Sequence, residues 1–384
     1  MTFDFTTAMQ IVFGAGRLAE VGALAKPLGK NALVVTGREG SRAEKLLAHL
    51  RAADISASTF SMAGEPDIAT IGREVAFAKR ERFDLVISIG GGSVIDAGKA
   101  IAAMLTNPGE VLDYVEVIGK GGALTVASAP FIAIPTTAGT GAEVTRNAVL
   151  GSRERGVKVS LRSPLMLPRI ALVDPELTYG LPPALTASTG LDALTQLIEP
   201  FVCTRANALT DALCIEGMRR AARSLRAACG PKPDSGARED MAVAGLFSGM
   251  ALANAGLGAV HGLAGPVGGS FPAPHGAVCA ALLPHVMAMN LRALRQRDPG
   301  SAVLFRYDEA AYWLTGDQKA KADDGVKWVR AAVGDLKIPR LGSYGIGADD
   351  LADIVAKAEK ASSMKANPIK LTAEEQGEIL QQAL

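Results

Sequence analysis

Three of the four histidines, His261, His275 and His285, fall inside a 25-residue window. Imidazole is the commonest metal ligand and also the side chain that moves protons near neutral pH, so the grouping invites either chemistry. His261 sits in ALANAGLGAVHGLAG, a run of small residues through which a helix can pack closely, and His275 follows Pro272 and Pro274 in FPAPHGAV, which stiffen the approach to the next helix. His49 stands alone. Upstream, Asp192 and Gln196 are four residues apart and share one helix face. A carboxylate flanked by Leu191, Ala193 and Leu194 is costly to bury unless it is paired or coordinated. Asp192, His261 and His275 together offer three ligands for a divalent metal, with positions left for a substrate oxygen. The same histidines equally suit acid–base work or a hydrogen-bonded core.

Two turns read as a nucleotide cradle. After the apolar run Leu85 to Ile89 comes Gly90-Gly91-Gly92-Ser93-Val94-Ile95-Asp96, which leads into a helix. Glycine there lets the backbone approach a ligand, and the first N–H groups of the helix point outward at an anion. Ser93 is expected to cap that helix, and Asp96 to lie in its first turn, where the dipole favours it. The pattern is neither G-x-G-x-x-G nor a Walker loop. A second turn, Pro135-Thr136-Thr137-Ala138-Gly139-Thr140-Gly141, also follows an apolar run. In a doubly wound sheet both turns meet at the carboxyl ends of the strands, where ligands bind.

The elements that must hold these groups change character along the chain. Short β-type runs at Ala32 to Thr36, Leu85 to Ile89, Phe131 to Ile134 and Ile170 to Val173 alternate with helical stretches at Ser41 to Arg51 and Ile68 to Arg80. That alternation predicts a parallel sheet covered on both faces, with a hairpin over Asn147 to Leu161. From VDPELTYGLPPALTASTG, read as a turn-rich passage, strand-like runs nearly vanish and helices take over. They are expected over Leu191 to Val202, Thr210 to Ala228, Arg238 to Gly256 and Asp349 to Lys360. The fold class is thus an α/β dinucleotide-binding domain over 1–180 and an all-α domain over 181–384, with a cleft expected between them.

Composition narrows the partners. Forty Lys and Arg balance thirty-nine Asp and Glu, and no run of five like charges exists to follow a nucleic acid or an anionic lipid surface. No apolar stretch approaches the ~20 residues of a membrane span, and the N-terminus lacks the basic region of a secretory signal. A cytoplasmic protein is expected. Cys203, Cys214, Cys229 and Cys279 contain no C-x-x-C pair and read as reduced, mostly buried thiols.

The chain resembles the iron-containing alcohol dehydrogenase family, relatives of glycerol dehydrogenase and dehydroquinate synthase. The similar stretches are GGGSVIDAGKA at 90–100, IPTTAGTGAEVT at 134–145, KVSLRSPLMLPRIALVDPELT at 158–178, TGLDALTQLIEP at 189–200, GLGAVHGLAGPVGG at 256–269, PHGAVCAALLPHV at 274–286 and SSMKANP at 362–368. The resemblance implies NAD(P)-dependent hydride transfer between an alcohol and an aldehyde or ketone. It places the cofactor on Gly91, Gly92, Ser93 and Asp96, with Thr136, Thr137, Thr140 and Lys158 completing the pocket. At the end of the first strand, where NAD-preferring relatives often carry Asp, this chain reads Thr36-Gly37-Arg38, so Gly37 and Arg38, with Arg42 nearby, favour NADP over NAD.

Family members bind iron or zinc through one Asp and three His. Asp192, His261 and His275 fit three positions, whereas Gln196 stands at the fourth and offers a weaker, neutral amide oxygen. Gly265 replaces a second His found in many relatives. The maleylacetate reductases, similar in fold, work without metal, and a reductase of that type is the alternative; His261 or His275 would then donate the proton. A dehydroquinate-synthase-like lyase and a non-catalytic nucleotide-binding protein are further alternatives. The resemblance also implies a homodimer or larger homo-oligomer.

Overall fold

In the computed structural model of the chain, residues 2–38, 40–152, 154–155, 157–232 and 234–384 are described, without the side chains of Ser41 and Arg42. They form two compact units. One comprises Thr6–Thr137 and Gly141–Gly180; the other comprises Leu181–Leu384 with Ala138–Thr140 and the N-terminal residues up to Phe5.

The first unit is built on a sheet of six parallel strands: β1 (Gln10–Phe13), β2 (Asn31–Thr36), β3 (Ser56–Ser61), β4 (Leu85–Gly90), β5 (Phe131–Pro135) and β8 (Ile170–Val173). Their order is β1-β8-β5-β4-β2-β3. β6 (Asn147–Ser152) and β7 (Val157–Arg162) form the separate antiparallel hairpin that the sequence anticipates, and its tip residues 153 and 156 lie outside the described set. β2 shows why the sheet is covered twice: Leu33 and Val35 face one core with Ile71, Val75 and Ile101, while Ala32 and Val34 face another with Leu46 and Leu50. Side chains alternate across a strand, so a continuous apolar run feeds both faces. Helices α1 (Val21–Ala25) and α2 (Ser41–Ala52) supply one cover, and α3 (Ile68–Arg80), α4 (Gly92–Thr106) and the single turn α5 (Val111–Tyr114) the other. The chain reverses direction across the sheet between β2 and β4, the switch point beyond whose carboxyl ends α/β proteins bind ligands.

The second unit is helical: α6 (Pro183–Val202), α7 (Ala208–Ala228), α8 (Ser235–Asn254), α9 (Ala259–Ser270), α10 (His275–Arg297), α11 (Ala302–Thr315), α12 (Ala322–Asp335), α13 (Leu351–Ala358) and α14 (Ala373–Ala383). The passage read as turn-rich already belongs to α6 from Pro183, a proline in the first turn, where its missing N–H costs nothing. α10 corrects the expectation about apolar length. It is long and apolar enough to cross a membrane by composition alone, yet 83% of its apolar window is buried inside the protein, so it is the core helix of this unit.

Candidate active site and metal centre

At the switch point, the turns after β4 and β5 are neighbours. Gly90 lies opposite Pro135 in register, and the Thr136 N–H donates to Gly90 O at 2.9 Å. The cap of α4 is Gly91, with no side chain bonded there; Ser93, expected as the cap, lies within the first turn instead. Gly91 therefore brings no side-chain acceptor to the N–H groups that open α4, an arrangement that favours an anionic ligand. Gly37 follows β2 directly and comes within 3.9 Å of Val94, measured from where a Cβ would stand. Arg38 is exposed beside it; the Arg42 side chain lies outside the described residues.

Asp96 differs from expectation. It stands in the second turn of α4, and its carboxylate is already engaged: Oδ1 lies 3.0 Å from Lys99 Nζ, and Oδ2 accepts from the Val149 N–H at 3.1 Å. A buried lysine three residues on captured it more strongly than the helix dipole. Lys158, on β7, pairs with Glu65 at 2.5 Å. Thr136 is buried and Thr137 half-buried beside Gly91, whereas Thr140 belongs to the helical unit.

Within the helical unit, three elements bring the predicted ligands together. Asp192 projects from the middle of α6, His261 from the first turn of α9, and His275 opens α10. Gly276 permits the approach of α10, because a Cβ there would stand 2.6 Å from Ser188 O on α6. His261 Nε2 lies 3.6 Å from Asp192 Oδ1, and His275 Nε2 lies 3.8 Å from the same oxygen. These separations are too long for hydrogen bonds. They are close to those of donors about 2.0–2.3 Å from one shared tetrahedral ion. Asp192 Oδ1 is fully buried and has no hydrogen-bond partner, which is costly unless a cation completes it. Cys279, one turn beyond His275, adds a fourth donor, and all four donor atoms lie within 4.8 Å of one another.

The electrostatics agree. Burial opposes charge on His261, yet Cys279, Glu199 and Asp192 hold its pKa well above the ordinary imidazole value. His275 is raised too, by Cys279 first and Asp192 next, against burial. Burial pushes Asp192 up, but the two histidines outweigh it and hold the carboxyl below its usual range. The histidine shifts favour positive charge beside Asp192, and the Asp192 shift favours its carboxylate.

Sequence reasoning missed two residues. Glu199 Oε2 lies 2.6 Å from His261 Nδ1, and Glu199 Oε1 accepts from the Val260 N–H at 2.7 Å. Paired in this way, Nδ1 donates to Glu199 and Nε2 is the nitrogen turned toward Asp192, the one that would give its lone pair to a bound cation. Gly258 makes room, since a Cβ there would stand 2.9 Å from both Glu199 Oε1 and Asn367 Oδ1. The signal was spacing: Glu199 is seven residues, two turns, after Asp192. Cys279 was likewise legible as the residue four after His275. Gln196 is buried with its amide oxygen 3.2 Å from Ser248 Oγ, and His285 bonds Gln382 outside the cluster.

The family model for iron-containing alcohol dehydrogenase matches residues 8–175, and that for the C-terminal part of Fe-containing alcohol dehydrogenases matches 186–384. The chain belongs to the iron-containing alcohol dehydrogenase family. A 1,3-propanediol dehydrogenase from Klebsiella pneumoniae is 35% identical, the match covering 99% of this chain and 98% of the relative. An NAD-dependent methanol dehydrogenase from Bacillus methanolicus is 33% identical, over 97% of each. The crystal structure of a 1,3-propanediol oxidoreductase covers all of both chains, with a TM-score of 0.92 at 34% identity. As a member of this family the protein is an oxidoreductase of the alcohol dehydrogenase class, which favours alcohol–carbonyl interconversion over the lyase and non-catalytic alternatives. Against the family's set of one Asp and three His, this member departs at Gln196, and a Cβ at its Gly265 would meet nothing within 4 Å.

Proposed function

We propose that the protein interconverts a small alcohol and its aldehyde or ketone by hydride transfer with a nicotinamide dinucleotide, at a divalent cation held by Asp192, His261 and His275. The observation that carries this reading is the buried, unpartnered Asp192 Oδ1 facing two imidazole nitrogens. A divalent cation bound there supplies Lewis acidity toward the alcohol or carbonyl oxygen. Glu199 fixes the His261 ring with Nε2 turned inward. His275, whose side chain is 39% exposed, is the most open of the donors, and the alcohol proton leaves past it. Gly91, Gly92, Ser93, Thr136, Thr137, Thr140 and Lys158 hold the dinucleotide, and the opening turn of α4 takes its pyrophosphate.

The test is turnover of NAD(P)H with a panel of small aldehydes and ketones, beside the His261→Ala variant. Loss of most activity in that variant is expected, and full retention would sink both the metal-assisted and the metal-independent version. NADP(H) is the preferred cofactor, because Thr36-Gly37-Arg38 brings no acid to the ribose hydroxyls and leaves Arg38 exposed; equal kcat/KM with NAD(H) overturns that preference. The enzyme works in the cytoplasm as a homodimer or larger homo-oligomer, and a monomer in sedimentation velocity contradicts the assembly.

A further inference from the structure

On α6 the residue one turn after Asp192 is an amide, Gln196, whose oxygen lies against Ser248. A neutral amide completes a cation site poorly beside imidazole. On α10, one turn after His275, the position facing the same space is a thiol. Cys279 is completely buried, with Sγ 3.6 Å from His275 Nε2 and 3.8 Å from His261 Nε2. A buried cysteine alone proves little. Here a second observation points into the same space: Asp192 Oδ1, in a residue only 1% exposed, has no partner and lies among these donors. Two imidazole nitrogens, a carboxylate oxygen and a sulfur, spaced 3.6–3.8 Å where the separations are known, make a mixed donor set that suits zinc, to which a substrate oxygen would add as a fifth donor.

We propose that Cys279, as a thiolate, is the fourth protein ligand of the divalent cation and takes the role that Gln196 leaves vacant. The proposal rests on Asp192, His261 and His275 being metal ligands. On binding, the Cys279 S–H bond breaks, a sulfur–metal bond forms, and the proton leaves to solvent. The set then carries two negative charges, from Asp192 and Cys279, and is softer than an all-nitrogen and oxygen set, which shifts its selectivity from iron(II) toward zinc.

The experiment is cobalt(II) titration of the chelator-stripped full-length protein, read by absorption. Visible d–d bands report binding at the site, and a near-ultraviolet sulfur-to-cobalt charge-transfer band reports the thiolate. The wild type gives both. Cys279→Ser and Cys279→Ala lose the charge-transfer band, keep visible bands, and bind cobalt about tenfold or more weakly, by analogy with the loss of far less direct contacts. Their zinc affinity falls further than their iron(II) affinity. Gln196→Ala keeps the charge-transfer band. Far-ultraviolet circular dichroism of each stripped variant checks folding before titration. Visible bands in the wild type without the charge-transfer band overturn the thiolate while leaving Asp192, His261 and His275 as ligands. Failure of folded wild-type protein to bind cobalt at all overturns both readings.

Discussion

Each unit of the protein buries a cluster of charged groups, and the two are finished differently. In the α/β unit, Lys99 is fully buried; it pairs with Asp96 and donates to Ala142 O, to Thr145 Oγ1 and to the Asn147 carbonyl. It ties α4 to the turn and hairpin that follow β5, and its donors are fully used within the chain. In the helical unit, Asp192 shares its space with two imidazoles and a thiol, yet one oxygen is left without a partner. A closed cluster holds a fold together. An unfinished one waits for something to bind, and that difference separates a structural knot from a site.

The comparison breaks most sharply at its two centres. Asp192→Asn removes the charge around which the second cluster is organised. Since the Lewis acid is worth several kcal/mol, kcat/KM should fall about a thousandfold or more and the purified protein should lose its metal. Its folding stability, with the metal removed by chelation, should fall only by the charge pairing with His261 and His275, and by less than in the next variant, because no hydrogen bond to Oδ1 is lost. Lys99→Met should do the reverse. It leaves the half-buried carboxylate of Asp96 without its cation and the oxygens of Ala142 and Asn147 without their donor, and should cost about 3–5 kcal/mol in denaturant unfolding. If Asp192→Asn unfolds the stripped protein while Lys99→Met is neutral, the assignment of knot and site is wrong.

A third change tests how completely the knot is closed. Glu143 is buried beside Lys99, and desolvation raises its carboxyl from an ordinary 4.5 to about 7, Lys99 offsetting only part of the burial. Between pH 4.5 and 7 the native protein keeps a proton that the unfolded chain has lost. Stability therefore falls as pH rises through that window and stays down above it, by at most about 3 kcal/mol. Glu143→Gln cannot ionise and should flatten the profile, gaining on the wild type at pH 8 relative to pH 5. An equal difference at both pH values would show that Glu143 is ionised in the fold.

What the sequence disclosed follows from how local each signal is. Strands β2, β4, β5 and β8 are buried on both faces and read as plain apolar runs. β3, SASTFS, is a largely exposed edge strand paired only with β2, and its composition resembles a loop. The start of α6 was hidden because Pro182-Pro183 reads as a break until the first-turn position of Pro183 is known. At the site, Asp192, His261 and His275 were legible because their side chains are costly to bury without a purpose. Glu199 and Cys279 sit among apolar neighbours, where their helical spacing from Asp192 and His275 is a weak signal, and the folded approach of α9 and α10 to α6 is what gives that spacing its meaning. Asp96 differs only in its place in α4 and in its partners, for the converse reason: Lys99 is visible in the sequence, but the hairpin N–H of Val149 that completes its bonding comes from 53 residues away.

The smallest effect sharpens the comparison from the side of the site, at the residue that never touches the metal. Glu199 is 5% exposed and spends one oxygen on His261 Nδ1 and the other on the Val260 N–H. Glu199→Gln preserves size and can still accept one of these bonds, but it removes the charge that makes the His261 ring a strong donor. Its amide can also turn an N–H toward Nδ1 and select the tautomer that points a proton into the cluster. Supporting partners of this kind are worth about 10–100-fold in metal affinity, so cobalt should bind that much more weakly, with its visible bands retained. The fall in kcat/KM should vanish at saturating metal if Glu199 acts only by positioning His261. A Glu199→Gln protein with unchanged metal affinity would make this carboxylate part of the α9 cap alone, and would move it from the unfinished cluster to the structural side.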